Sequence, residues 1–168
     1  AAPRTRGHRV EVGVSKGLPA VRVDAKAVAE VLYTLLDNAA KYSPAGTRIG
    51  IAAEGVGDGW VRLSVEDDGP GVPLDLRERV FDKFFRAMRD GDSGTHQPPG
   101  TGMGLAIAKG IVEAHGGRIC IEDARDGTGT RVVVTLPVGD DDEDAPQGET
   151  LLSAGEDDGR QAAHTNRR

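Results

Sequence analysis

The chain holds a single cysteine, Cys120, among 168 residues. A disulfide framework is excluded, and there are no further thiols to complete a zinc site. No apolar run approaches the roughly 18 residues that a membrane span needs, so the expectation is a soluble chain without direct membrane contact. The opening Ala1-Ala2-Pro3-Arg4 shows neither an initiator methionine nor a signal-peptide pattern, and the chain reads as a piece of something longer. An excess of positive charge is missing too. The net charge of −6 resides in the tail, where nine acidic residues stand against three arginines from Gly139 to Arg168. The body before it is balanced, which gives no electrostatic footprint for nucleic acid.

What is present suits one domain. The tail, residues 139–168, is rich in Asp, Glu, Gly and Ala without periodicity and is expected to be an acidic disordered segment. The folded unit is then 1–138. Alternation predicts strands over Arg9 to Val14 and Ala20 to Val23. Asp24 stands where a helix N-cap belongs, opening an apolar-periodic stretch that runs to Tyr42 and stops at Ser43-Pro44-Ala45-Gly46. Further strands are expected from Arg48 to Ala53 and from Trp60 to Glu66. Asp75 and Glu78 have the spacing of a capping box for a short helix. A Gly/Pro-rich loop fills the space from Ala87 to Gly104, and its length is of the functional or disordered kind. A helix from Gly104 to His115, closed by Gly116-Gly117, and strands at Arg118 to Glu122 and Thr130 to Leu136 complete the body. Helices separated by strand pairs imply an α+β fold, a two-layer sandwich.

Four groups of residues carry chemistry. On the first helix, Val28, Val31, Leu32, Leu35, Ala39 and Tyr42 share an apolar face, while Glu30, Thr34, Asp37, Asn38 and Lys41 form a polar stripe. The stripe is either a solvated face or the cover of a nucleotide, with the Asn38 amide oxygen a candidate magnesium ligand. Asp67-Asp68-Gly69-Pro70-Gly71 follows a strand. It is either an ordinary turn or a carboxylate that accepts from an adenine amine beside glycines that admit the ring. Gly100-Thr101-Gly102-Met103-Gly104-Leu105 leads into a helix, so its backbone N–H groups can cradle phosphate. It is not a P-loop, for no Gly-Lys-Ser/Thr follows, and no strand precedes it as a Rossmann fingerprint requires. Phe81-Asp82-Lys83-Phe84-Phe85-Arg86 holds all three phenylalanines, and Arg86 beside the loop is placed to steer a phosphate.

Together, in this order, the groups resemble the ATP-binding catalytic domain of bacterial sensor histidine kinases, of the gyrase, heat-shock-chaperone and mismatch-repair ATPase superfamily. Leu35 to Tyr42 is similar to the asparagine box, Asp67 to Gly71 to the first glycine box, Phe81 to Phe84 to the phenylalanine box and Gly100 to Leu105 to the second glycine box. Gly127-Thr128-Gly129-Thr130 resembles the last glycine-rich turn, and within the family the chain looks most like the potassium-responsive sensors. The resemblance implies a Bergerat-type fold: a mixed, mostly antiparallel sheet covered on one face by about three helices, with a flexible ATP lid.

It implies ATP and Mg²⁺ as cofactors. Asn38 is the expected magnesium ligand, Asp67 the adenine reader, Gly69 and Gly71 the shapers of the base pocket, and Tyr42 a neighbour of the base. Lys41, Arg86 and the backbone of Gly100, Thr101, Gly102, Met103, Gly104 and Leu105 would hold phosphates, with Thr130 at the pocket's edge. Asn38, Lys41 and Arg86 form the expected catalytic set. Thr34 stands where the family has a second asparagine and where ATPase relatives carry a water-activating glutamate. That departure disfavours hydrolysis, and the Thr34 hydroxyl is a possible second metal contact; Glu30, one turn earlier, is the alternative carboxylate.

None of His8, His96, His115 and His164 has the context of a phosphoacceptor, and His115 is expected to pack or cap at a helix end. The resemblance therefore implies a cytoplasmic, monomeric kinase module unable to phosphorylate itself, partnered by a dimerisation and phosphoacceptor domain outside this chain and by a downstream response regulator. The alternatives are an anti-sigma-type serine kinase, which typically lacks the phenylalanine box, and a non-catalytic nucleotide-dependent interaction module.

Overall fold

The computed structural model describes residues 5, 7–57, 59–85, 101–125 and 127–139. Five strands form one sheet: β1 (Arg9–Val14), β2 (Arg48–Val56), β3 (Trp60–Asp67), β4 (Arg118–Asp123) and β5 (Thr130–Pro137). Their spatial order is β1-β2-β3-β5-β4. β1 runs parallel to β2 and every other pairing is antiparallel, so the sheet is mixed as expected. Helices α1 (Ala25–Tyr42) and α2 (Gly104–Ala114) cover one face. A pair of 3-10 turns, Leu74–Leu76 and Arg79–Phe81, supplies the third helical piece.

α1 forms because a side chain starts it and one face of it is apolar. Asp24 Oδ1 accepts from the backbone N–H of Lys26 at 2.8 Å and of Ala27 at 3.3 Å, which satisfies two orphan donors of the first turn. Val31, Leu35 and Ala39, at helical spacing, are buried against Ile49, Val65, Val132, Val134 and Leu136 of the sheet and Ala108 and Val112 of α2. Tyr42 departs from the periodic expectation. It stands at the last turn of α1 and is half exposed.

Two further expectations change. The strand predicted at Ala20 to Val23 reduces to one bridge, Val21 to Val138, because the chain turns into the α1 cap three residues later. The capping box at Asp75 and Glu78 does not form: Pro73 is the N-cap residue and no side chain caps the turn. Each 3-10 piece is three residues long, too short to propagate as an α-helix, and Arg77 between them is pulled aside. Its Nε donates to the Val72 carbonyl at 3.2 Å and its guanidinium pairs with Asp123 at 2.5 Å.

The other face of the sheet is polar and laced by ion pairs. Glu66, buried at 6% exposure, accepts from Arg48 at 2.8 Å and lies 3.8 Å from Arg131, while Arg62 pairs with Glu122 at 2.9 Å. β1 overhangs the helical layer. Val10, Val12 and Val14 share the helix side with Ile49, Ile51 and Ala53, yet all three remain exposed.

The contrast sets a stability test. Leu35→Ala, at 2% exposure, should cost about 2–5 kcal/mol, whereas Val12→Ala, at 66%, should stay within about 0.5 kcal/mol. Urea unfolding of both variants checks it.

Candidate functional site

Of the predicted site residues, Tyr42, Asp67, Gly69, Gly71 and Thr130 meet at one end of the sheet. Asp67 is the last residue of β3, on the helix side, and only 6% exposed. Its Oδ1 accepts from the Gly69 N–H at 2.8 Å, which bends the chain back over the carboxylate. Thr130 pairs with Asp67 across the sheet and its backbone N–H is a further donor. Burial pushes the Asp67 pKa up, and the neighbouring Asp68 adds to the rise. The polar groups of Gly69, Ser43 and Thr130 oppose it without cancelling it.

Gly69 is required by a close approach. A Cβ there would lie 2.6 Å from Asp67 Oδ1 and 3.0 Å from the Tyr42 carbonyl, so the first glycine box presses against the end of α1. Ser43, the C-cap residue of α1, is buried beside Asp67, and its hydroxyl is one of the polar groups that oppose the rise in the Asp67 pKa. An acidic acceptor and a hydroxyl side by side in one buried corner form a polar end able to meet a flat heterocycle. Gly71 packs against Gly129, bringing the last glycine-rich turn to the same corner.

The asparagine box and the second glycine box meet along the helices. A Cβ at Gly104 would lie 3.1 Å from Thr34 Cγ2, so α2 begins in contact with the polar stripe of α1. Asn38, one turn beyond Thr34 on the same stripe, is half-buried. Lys41 makes an ion pair with Asp37 at 2.5 Å and does not point freely at a ligand. The N-cap residue of α2, Met103, makes no side-chain cap, so among the described residues the first N–H groups remain available to an anion. The side chain of Leu105 turns inward and packs on the core.

The phenylalanine box splits three ways. Phe81 is buried in the core, Phe85 lies under the Arg79 guanidinium at 4.7 Å, and Phe84 is 72% exposed. Phe84 adopts φ +65°, a costly backbone state for an aromatic residue, and its N–H donates to the Gly102 carbonyl at 3.0 Å. Gly102 itself, at φ +69°, leaves no room for a Cβ against the backbone of Phe84 and Phe85. The two boxes are thus joined by main chain. Arg86 and Gly100, expected to act on phosphates, lie outside the described residues, as do the loop at 87–100 and the tail from 140 onward.

Sequence reasoning missed Ser43, read there only as a helix stop, and the left-handed Phe84. A Ser-Pro pair directly after the asparagine box was the one available signal for the first; nothing in the sequence signalled the second. A shallow hollow lined by Arg48, Ser64, Glu66 and Arg125 lies on the opposite face of the sheet and does not meet this site.

Residues 23–140 match the family model described as histidine kinase-, DNA gyrase B- and HSP90-like ATPase. The chain belongs to that ATPase family. It is 38% identical over 134 residues to the adaptive-response sensory kinase SasA of Trichormus variabilis, a match covering 80% of this chain and 32% of the relative. The chain thus spans about a third of that curated relative. The structure of the mycobacterial sensor histidine kinase MprB is similar with TM-score 0.66 and 34% identity, covering 80% of this chain and 85% of that one. Full-length ShkA in complex with AMPPNP is similar with TM-score 0.65 and 30% identity, covering 80% of this chain and 26% of that one. Within the ATPase family the chain is an ATP-binding kinase module of the sensor-histidine-kinase kind.

The raised pKa of Asp67 has a consequence for stability. Its folded value lies above the unfolded one near 3.8, so the native state holds the proton more tightly and this group's contribution falls as pH rises through that window. Asp67→Asn removes the titration. Thermal melts between pH 4 and 7 should show the Asn variant gaining on the parent as pH rises, and holding at least the parent's stability at pH 7.

Proposed function

We propose that the module positions Mg²⁺-ATP for transfer of the γ-phosphoryl group to a histidine on a dimerisation domain that lies outside this chain. The observation that supports this most directly is the uncapped start of α2 seated against Thr34, on the stripe that carries Asn38. A helix terminus whose N-cap side chain leaves its N–H groups available favours the triphosphate, and the buried Asp67 carboxylate would accept from the adenine amine. The nucleotide-binding unit is the body up to about residue 138, and Tyr42, Gly69, Gly71 and Thr130 border the base.

The donor set suits magnesium shared with phosphate. Among the described residues no cluster of three or more His, Cys, Asp or Glu residues could hold a metal, so Asn38 would contribute one amide oxygen and substrate phosphates the rest. When bound, the ion neutralises charge on the β- and γ-phosphates. Lys41 would exchange its contact with Asp37 for a phosphate oxygen. Thr34 offers its hydroxyl near the same edge and has no carboxylate to activate water, which favours phosphoryl transfer over hydrolysis.

The relatives are sensory kinases by name, and on that basis we extend the reading to a response regulator downstream and to a place on the cytoplasmic side. Among the described residues no helix is long and apolar enough to cross a membrane.

Two measurements test the proposal. In calorimetry the parent should prefer ATP to GTP, and Asp67→Asn should lose roughly tenfold or more in ATP affinity, as expected for a lost charged hydrogen bond of about 1.5–3 kcal/mol. Equal affinity for the two nucleotides in the parent would overturn the adenine assignment. With the dimerisation domain supplied, Asn38→Ala should keep the parent's circular dichroism but abolish phosphotransfer, while Thr34→Asn should match or exceed the parent's magnesium dependence. Transfer by Asn38→Ala at the parent's rate would overturn the metal assignment.

A further inference from the structure

His115 ties the far ends of the two helices together. It is the C-cap residue of α2, half-buried, and its two ring nitrogens have different partners. Nδ1 lies 2.8 Å from the Ile111 carbonyl, which can only accept, so Nδ1 carries the proton. Nε2 lies 3.2 Å from the backbone nitrogen of Asp24, which can only donate, so Nε2 is the acceptor. The two contacts together select one orientation and hydrogen-bond pattern of the ring, held from both sides. Asp24 is itself the N-cap of α1, and the N–H that its own side chain cannot reach is the one His115 satisfies.

The contact defines where α2 sits. α2 starts against Thr34 and ends against Asp24, so it runs antiparallel to α1 and is pinned at both ends. Between these contacts Ala108 and Val112 pack in the core, with Leu105 and Ile111 against it. Beyond His115 the chain cannot yield either. The Gly117 N–H is bonded to the Val112 carbonyl at 3.0 Å, and a Cβ at Gly117 would overlap the Thr135 carbonyl oxygen.

We propose that His115 is a positioning residue for the nucleotide's phosphates. Through the Asp24 bond it sets the axial position of α2 and so holds the phosphate-binding N–H groups at its other end in line with Asn38. The inference rests on the placing of phosphates at the α2 N-terminus. The base corner is built from β3, β5 and the end of α1, and the contacts found there among the described residues come from these elements. A shift of α2 therefore weakens the hold on phosphates and leaves the hold on adenine alone.

Calorimetry with ATP and with adenosine, both at a temperature well below the melting transition, separates the two effects. His115→Phe keeps a ring of similar shape and loses both hydrogen bonds. It should bind ATP roughly three- to tenfold more weakly, the worth of one or two ordinary hydrogen bonds, with adenosine affinity unchanged. His115→Gln places an acceptor near the Nε2 position and should restore ATP affinity. His115→Asn reaches only the Nδ1 position and should behave as Phe does, so the Gln and Asn pair carries the test if the Phe variant fails to fold. Unchanged ATP affinity in the Phe or Asn variants, equal losses for ATP and adenosine, or failure of Gln to restore binding would overturn the proposal. Failure of the parent itself to bind ATP would instead overturn the nucleotide reading on which it rests.

Discussion

A carboxylate kept almost dry at the end of a strand is the constraint around which the rest is arranged. Asp67 loses hydration on folding, and three neighbouring polar groups return only part of it. The fold tolerates that cost because the strand carrying Asp67 is central, bracketed by β2 and β5 along its whole length. A peripheral strand would let water in and the acid would relax. Gly69 then folds back over the carboxylate, and the end of α1 closes the corner from above. The result is a preorganised acceptor whose energetic deficit a hydrogen-bond donor from a ligand can reduce.

The helical layer shows the same division between stability and reserve. α1 is capped through Asp24 on both its carboxylate and, by way of His115, its own backbone N–H. α2 begins with no side-chain cap among the described residues, next to the polar stripe of α1. The end of α1 that only has to be stable is sealed, while the donors at the end proposed to meet phosphate stay open among the described residues. Thr34 fits this arrangement in a particular way. Its methyl group meets Gly104, so its size matters to the approach of the helices as well as to any metal.

Local signals made much of this legible from the sequence. Asp24 and the apolar spacing of Val31, Leu35 and Ala39 place α1 without any tertiary information, and the glycine-rich groups locate the ends of β3 and α2. What escaped depends on partners distant along the chain. The Asp75–Glu78 spacing promised a helix, but Pro73 and the pull of Asp123 on Arg77 leave only 3-10 turns. The second strand candidate needed a partner at Val138 and found only one residue's worth of it. Tyr42 has the right phase for burial but stands at the last turn of α1, half exposed, a fact no helical wheel contains. Ser43 read as punctuation because its role depends on a carboxylate 24 positions further along.

The register between β3 and β5 governs how the protein comes to exist as well as what it binds. β2 and β3 are joined by a short turn and can pair early, but β5 reaches β3 only after the chain has closed a long loop that contains α2 and β4. Thr130, opposite Asp67, arrives with that non-local pairing. The corner proposed to read the base therefore depends on a non-local pairing. On the proposed reading, a chain without the β3–β5 pairing lacks the base corner, so nucleotide that binds the folded form alone would by mass action draw the unfolded population toward it.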